Sequence, residues 1–179
     1  MKIEKFILPV MVLGFVCFLA SCGGGSGGGS GSGEETTEIA RLHLSSVGQS
    51  LNVGDVFTVK LSLDTDDNPV TAVSAYIIFP SDLLEVNLID ITDSDFNVEA
   101  ENDVEGNIIK ITRGEATPGV NSINATIAKI GFIARAPGKA HISFQLSSPS
   151  AGPSRVIKDD RIGTDILSSA IGETYTIRP

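Results

Sequence analysis

From residue 38 to the end of the chain, apolar side chains recur at every second position, the period of a strand with one buried face. The 3.6-residue spacing of an amphipathic helix is almost absent. Phe57, Val59, Leu61 and Leu63 alternate with Thr58, Lys60 and Ser62, and Ala140, Ile142, Phe144 and Leu146 alternate in the same way with His141, Ser143 and Gln145. The same reading predicts strands over 39–45, 71–79, 84–91, 97–101, 107–113, 126–135 and 172–178. Turn chemistry separates them, as at Asp67-Asn68-Pro69, Glu105-Gly106-Asn107, Pro118-Gly119 and Pro137-Gly138. Nine short strands over this length predict an all-β sandwich. Residues 147–171 are polar, Ser-rich and weakly periodic, which predicts loops with a short strand or turn.

The first 37 residues follow a different rule. Lys2 and Lys5 precede an apolar run from Phe6 to Ala20, shorter than the roughly 20 residues a helix needs to cross a bilayer, so it reads as an export signal rather than a permanent span. The run closes on Leu19-Ala20-Ser21-Cys22, which resembles the bacterial lipobox in its small residues before the cleavage point and its Cys after it. The expectation is removal of residues 1–21 and attachment to membrane lipid through Cys22. An unpaired thiol exposed in an oxidising compartment would be a liability, and lipidation accounts for it better. Cys17 lies in the segment that is removed, so no internal disulfide forms and stability must come from a core. Residues 23–33, GGGSGGGSGSG, have no side chains to pack and read as a coil with a reach of about 18 Å. The expected plan is a signal peptide (1–21), a lipidated Cys with its tether (22–37) and one sandwich domain (38–179). Gly23 is not the Asp that resembles an inner-membrane retention signal, so the outer membrane is the expected location, facing either the periplasm or the outside.

Charge narrows the partners. The full chain carries −9, and without residues 1–21 it holds 11 basic and 21 acidic residues, a net charge of −10. Such a body repels phosphate backbones, which argues against nucleic acid. Catalysis has little to work with, since His43 and His141 both fall at polar positions of alternating strands. No Gly-x-Ser-x-Gly elbow, phosphate loop or His-Glu-x-x-His occurs, and the chain is expected not to be an enzyme.

Two ligand classes need weighing. Asp64-Thr65-Asp66-Asp67-Asn68 begins like a calcium loop, with Asp64, Asp66 and Asn68 as alternate oxygen donors. Pro69 and Ala75 then stand where an EF-hand needs its Gly and Glu, so no cofactor is required and calcium at this turn is a secondary expectation, as is a looser site built from Asp93, Asp95, Asp159, Asp160 and Asp165. A flat sugar site wants a row of aromatic rings, yet there is no Trp, and Tyr76 and Tyr175 lie on different predicted strands.

The order of segments resembles the cohesin domain, a jelly-roll sandwich related to the carbohydrate-binding modules of cellulose-degrading systems. Val53-Gly54-Asp55-Val56-Phe57-Thr58-Val59 is similar to the family's Gly-Asp turn into its second strand, and Val73 to Val86 to its third and fourth strands, with Leu84-Glu85-Val86 matching closely. Ala125-Thr126-Ile127-Ala128-Lys129-Ile130-Gly131-Phe132 followed by Ala136-Pro137-Gly138-Lys139-Ala140 is similar to the late hairpin. Phe79-Pro80-Ser81 departs from the family's frequent Tyr-Asp-Pro, which touches fine recognition more than fold. The resemblance implies a nine-stranded jelly-roll β-sandwich and a non-catalytic receptor for a calcium-loaded dockerin, gripped on the sheet of the third, fifth, sixth and eighth strands. On that layout the outward residues are Ser74, Tyr76 and Ile78, then Lys110 and Thr112, then His141, Ser143 and Gln145. Tyr76 and Ile78 would form an apolar patch of the kind that marks an interface, unless a loop covers them or their strand is buried on both faces. A carbohydrate-binding module and a structural envelope domain stay open as alternative functions.

Overall fold

A computed structural model describes residues 39–46, 48, 50–146 and 154–179. The expected signal segment, Cys22 and the tether lie outside the described residues. The alternating segments pair into two sheets with the order β11-β1-β3-β8-β5 in one and β2-β12-β9-β4-β7-β6 in the other. In chain order the strands are β1 Ala40–Ser45, β2 Ser50–Asn52, β3 Val56–Asp64, β4 Val70–Ile78, β5 Leu84–Asp90, β6 Val98–Glu105, β7 Ile108–Gly114, β8 Ala125–Ala134, β9 Gly138–Phe144, β10 Arg155–Lys158, β11 Leu167–Ile171 and β12 Glu173–Arg178. Pairing is antiparallel except for β1 with β11 and β12 with β2.

Alternation delivers one row of most strands to the space between the sheets, while β6 and β11 bury no residue fully. Val59, Leu61 and Leu63 of β3 face Val73, Ala75 and Ile77 of β4 and Ile109 and Ile111 of β7 in one core, all at 0% exposure. Burying a side chain of this size contributes about 1.5–3 kcal/mol, so the alternation itself is what holds each strand in register. An aromatic chain links the sheets at one end. Phe57 stacks on Phe132 with ring centroids 5.6 Å apart and tilts onto Tyr175 at 4.7 Å, while Phe79 meets Phe132 edge-on at 5.8 Å.

The architecture is the expected all-β sandwich, with twelve strands among the described residues where the sequence predicted nine. The additions are β2, β10 and β11, of 3, 4 and 5 residues, each too short for an alternation to register. Two of them fall in 147–171, so that region holds two short strands in place of one. β10 lies beside the first half of β4 through Arg155↔Ser74 and Val156↔Val73, whereas β9 joins the second half through Ile77↔Phe144 and Ile78↔Ser143. β6 runs to Glu105, four residues past its predicted end at 101.

The chain passes from one sheet to the other between β11 and β12 at Gly172. A Cβ there would lie 2.2 Å from the Ile142 carbonyl oxygen, so only glycine allows the backbone to cross at that distance.

Candidate binding face

Strands β9, β4, β7 and β6 present their polar rows on the outside of the second sheet. Cross-strand pairing puts the side chains of directly opposed residues on one face. One row runs Glu105–Ile108–Ile78–Ser143 and a second runs Glu101–Thr112–Ser74–Arg155. Between them, Asp103, Lys110 and Tyr76 are opposed in turn, and Gln145 donates its backbone N–H to the Tyr76 carbonyl at 2.8 Å. Tyr76, Ile78 and Ile108 are half-buried and sit side by side on the two middle strands, where β4 ends and β7 begins. The alternative in which this strand is buried on both faces therefore does not hold.

A hydrogen-bond net orders the surface. The Tyr76 hydroxyl donates to Glu101 Oε2 at 3.1 Å, and the Thr112 hydroxyl lies 3.2 Å from Ser74 Oγ and 3.4 Å from the same Glu101 oxygen. Lys110 Nζ is paired with Glu105. Burial pushes the Tyr76 phenol above its ordinary pKa, helped by its bond to Glu101, and the hydrogen bond to Glu105 raises the Lys110 ammonium. Both groups thus keep their protons at neutral pH, and the phenol stays a donor. Gln145 Oε1 is shut off from solvent without a donor of its own among the described residues.

Of the residues expected on this face, Ser74, Tyr76, Ile78, Lys110, Thr112, Ser143 and Gln145 come together on adjoining strands. His141 lies beyond the last β4 pair at Ser143, opposite Thr174, with Nδ1 at 2.9 Å from the Thr174 hydroxyl. It belongs to the margin rather than the centre. Its only histidine companion, His43, is on β1 of the other sheet, so the two cannot act as a pair. Tyr175 is fully buried and bonded to Ser46 Oγ at 2.9 Å, which leaves Tyr76 without an aromatic neighbour for a sugar platform.

The turn at 64–68 has another role. Asp64 Oδ2 is 3.1 Å from an Arg41 nitrogen, and its other oxygen accepts the Asp66 N–H at 3.0 Å. The Asn68 amide donates to the Asp66 carbonyl at 2.9 Å, and Thr65 is tied to Asn121 and Ser122 of a neighbouring loop. Both oxygens of Asp64 are thus used to close the turn and hold it to β1, and Asn68 closes it through its amide nitrogen. Among the described residues no group of three or more His, Cys, Asp or Glu side chains is placed to hold a metal. The remaining acids are spent in the same way: Asp95 accepts the Thr126 N–H at 2.6 Å, Asp165 accepts Val156 N–H at 3.1 Å, and Asp160 accepts the Gly163 N–H at 2.8 Å.

Residues that sequence reasoning did not place here are Ile108, Arg155 and the acids of β6. Glu101, Asp103 and Glu105 recur with period two, which was the available signal. A β-bulge between Glu99 and Glu101 obscures it, turning Glu99 toward the buried Arg113 (3.4 Å) and Glu101 to the outside.

A model of the cohesin domain matches residues 42–160. The cohesin module from a Clostridium perfringens family 33 glycoside hydrolase superposes with a TM-score of 0.64 at 12% identity, covering 79% of this chain and 98% of that one. A non-cellulosomal cohesin from the archaeon Archaeoglobus fulgidus gives 0.59 at 16%, covering 79% and 92%. The sixth cohesin of Acetivibrio cellulolyticus scaffoldin B, solved in complex with a Cel5 dockerin variant, gives 0.59 at 15%, covering 78% and 99%. Likeness at these identities shows the fold. No curated protein matches the chain.

Proposed function

The chain belongs to the cohesin family, and we propose that it is a non-catalytic receptor, held to the bacterial outer membrane through a lipid on Cys22, that binds a dockerin-type module on the outer face of β9-β4-β7-β6. The carrying observation is the placement of Tyr76 and Ile78, half-buried and outward beside Ile108, on the two middle strands of a face with an ordered polar surround. An aromatic and two branched apolar side chains in such a setting are the composition of an interface hot spot. The domain plan fits a presentation device: residues 1–21 direct export, 22–37 give anchor and reach, and 38–179 supply the surface. Its setting would be polysaccharide degradation or the assembly of surface proteins.

The test is calorimetric titration of the full-length protein with recombinant dockerin modules from the same organism, with and without a calcium chelator. Binding is expected to disappear with the chelator, because the family's usual partner is calcium-loaded, and to weaken at least tenfold in Tyr76→Ala and Ile78→Ala. Equal affinity of both variants would refute the assigned face. Retention on insoluble polysaccharide, with no dockerin bound, would replace the receptor by a carbohydrate-binding module.

A further inference from the structure

The two sides of this face carry opposite charge. On β6 the outward positions are Glu101, Asp103 and Glu105, and one of the three is paired with Lys110. On the far side the outward positions of β9, β10 and β12 hold Lys139, Arg155 and Arg178, and Asp165, opposite Ile157 beside β10, is spent on the Val156 N–H at 3.1 Å. Strands lie about 4.8 Å apart, so β6 is about 14 Å from β9 and about 19 Å from β12. Those separations exceed the Debye length of about 8 Å at physiological salt. The two fields are therefore felt separately by an approaching surface instead of cancelling. Charge on an edge strand such as β6 guards against sheet-to-sheet association whichever its sign. Edge protection does not explain why the cations collect across the apolar centre.

We infer that the face admits its partner in a single orientation, with basic side chains of the partner over β6 and acidic ones over β9, β10 and β12, and an apolar ridge seated on Tyr76, Ile78 and Ile108. The inference rests on the receptor reading above and adds the polarity of the partner. In the reversed orientation like charges would meet at both sides at once, the arrangement that rejects wrong docking.

Association of a dockerin module that binds the full-length protein is measured by surface plasmon resonance against salt, for the wild type, Asp103→Lys, Lys139→Glu and the double variant. Among the described residues neither Asp103 nor Lys139 makes a side-chain hydrogen bond or ion pair, so the variants are expected to keep the melting temperature. The association rate should fall at least tenfold from low to high salt and three- to tenfold in each single variant, with dissociation little changed. Zero-length carbodiimide cross-linking then reads orientation directly, since it joins carboxylates to amines. Partner lysines should link to Asp103, and partner acids from a different segment should link to Lys139. Rates indifferent to salt and to both substitutions, or one partner segment cross-linked at both sides, would overturn the inference while leaving the receptor intact. If no module binds the wild type, the receptor reading and this inference fall together, whereas binding weakened in Tyr76→Ala with association rates unchanged in Asp103→Lys and Lys139→Glu keeps the former and refutes the latter.

Discussion

Replacing Ser154 by alanine removes one hydroxyl from the seam where β9 gives way to β10 along β4. Strand pairing leaves a gap there: Ile77 still has Phe144 opposite it and Ser74 already has Arg155, but no strand residue pairs with Tyr76 on that edge. The Tyr76 N–H is satisfied by Ser154 Oγ at 3.0 Å, and the Tyr76 carbonyl accepts the Gln145 N–H at 2.8 Å and the Ser154 hydroxyl at 3.4 Å. Ser154 is 3% exposed, so water cannot readily stand in for its oxygen. Orphaning a backbone donor in such a place costs about 1–3 kcal/mol. Because Tyr76 is only half-buried, the lower half of that range, about 1–2 kcal/mol, is the expected loss. Urea denaturation checks the size, and faster hydrogen exchange at the Tyr76 amide checks the place. Ser143→Ala, an outward hydroxyl on the same sheet, is the control and should stay within about 0.5 kcal/mol. A Ser154→Ala protein as stable as that control would refute the claim that this hydroxyl closes the seam. Partner binding should weaken alongside stability, since the same bond positions Tyr76.

Other substitutions probe other parts of the argument. Hydrogen bonds from Thr164 and from the amides of Ile162, Gly163 and Thr164 hold the Asp160 carboxyl at about 2, below its ordinary value of 3.8. The stabilisation is therefore complete above about pH 4 and lost as pH falls toward 2; carboxyl NMR should show this midpoint, and a midpoint near 4 would show the loop is not so ordered. Gly172→Ala should destabilise by about 1–3 kcal/mol or prevent folding, because the 2.2 Å approach is to a backbone oxygen that cannot turn away; a wild-type melting curve would contradict the crossing described here. Lys60 lies directly opposite Lys129 across β3 and β8, so Lys60→Glu should stabilise by roughly 0.2–1 kcal/mol in low-salt thermal unfolding. Cys22→Ser should abolish incorporation of a labelled lipid precursor, and unchanged labelling would remove the anchor from the proposed function.

The long core strands β1, β3, β4, β7, β8 and β9 were legible because each buries an alternating row. Phe57 to Leu63 and Ala140 to Phe144 could have no other partner than a core, and the structure puts both rows there. The face was legible through the same parity, since the residues between the buried ones must point outward; this is why Ser74, Tyr76, Ile78, Lys110 and Thr112 share one face. The family resemblance, and not the alternation, said which of the two sheets to examine. Parity assigned His141 its side but says nothing about where a neighbouring strand stops, so its place at the margin was not legible.

Three features had no local signature. β10 and β11 exist because neighbours offer open edges, β4 to Arg155–Lys158 and β1 to Leu167–Ile171, so their pairing energy comes from residues about 80 and 130 positions away. The Asp64–Asn68 oxygens look like ligands in one dimension, and only the arrival of Arg41 from β1 shows them committed to a turn. The charge polarity of the face joins residues from β6, β9, β10 and β12 that are scattered over residues 101–178. By itself, then, the amino-acid order determined strand periodicity and, away from bulges, the side of each residue, because these depend on near neighbours. Which strands lie together, which carboxylates stay free and which charges share a surface were decided by the packing of two sheets, because only long-range pairing brings those groups within reach of one another.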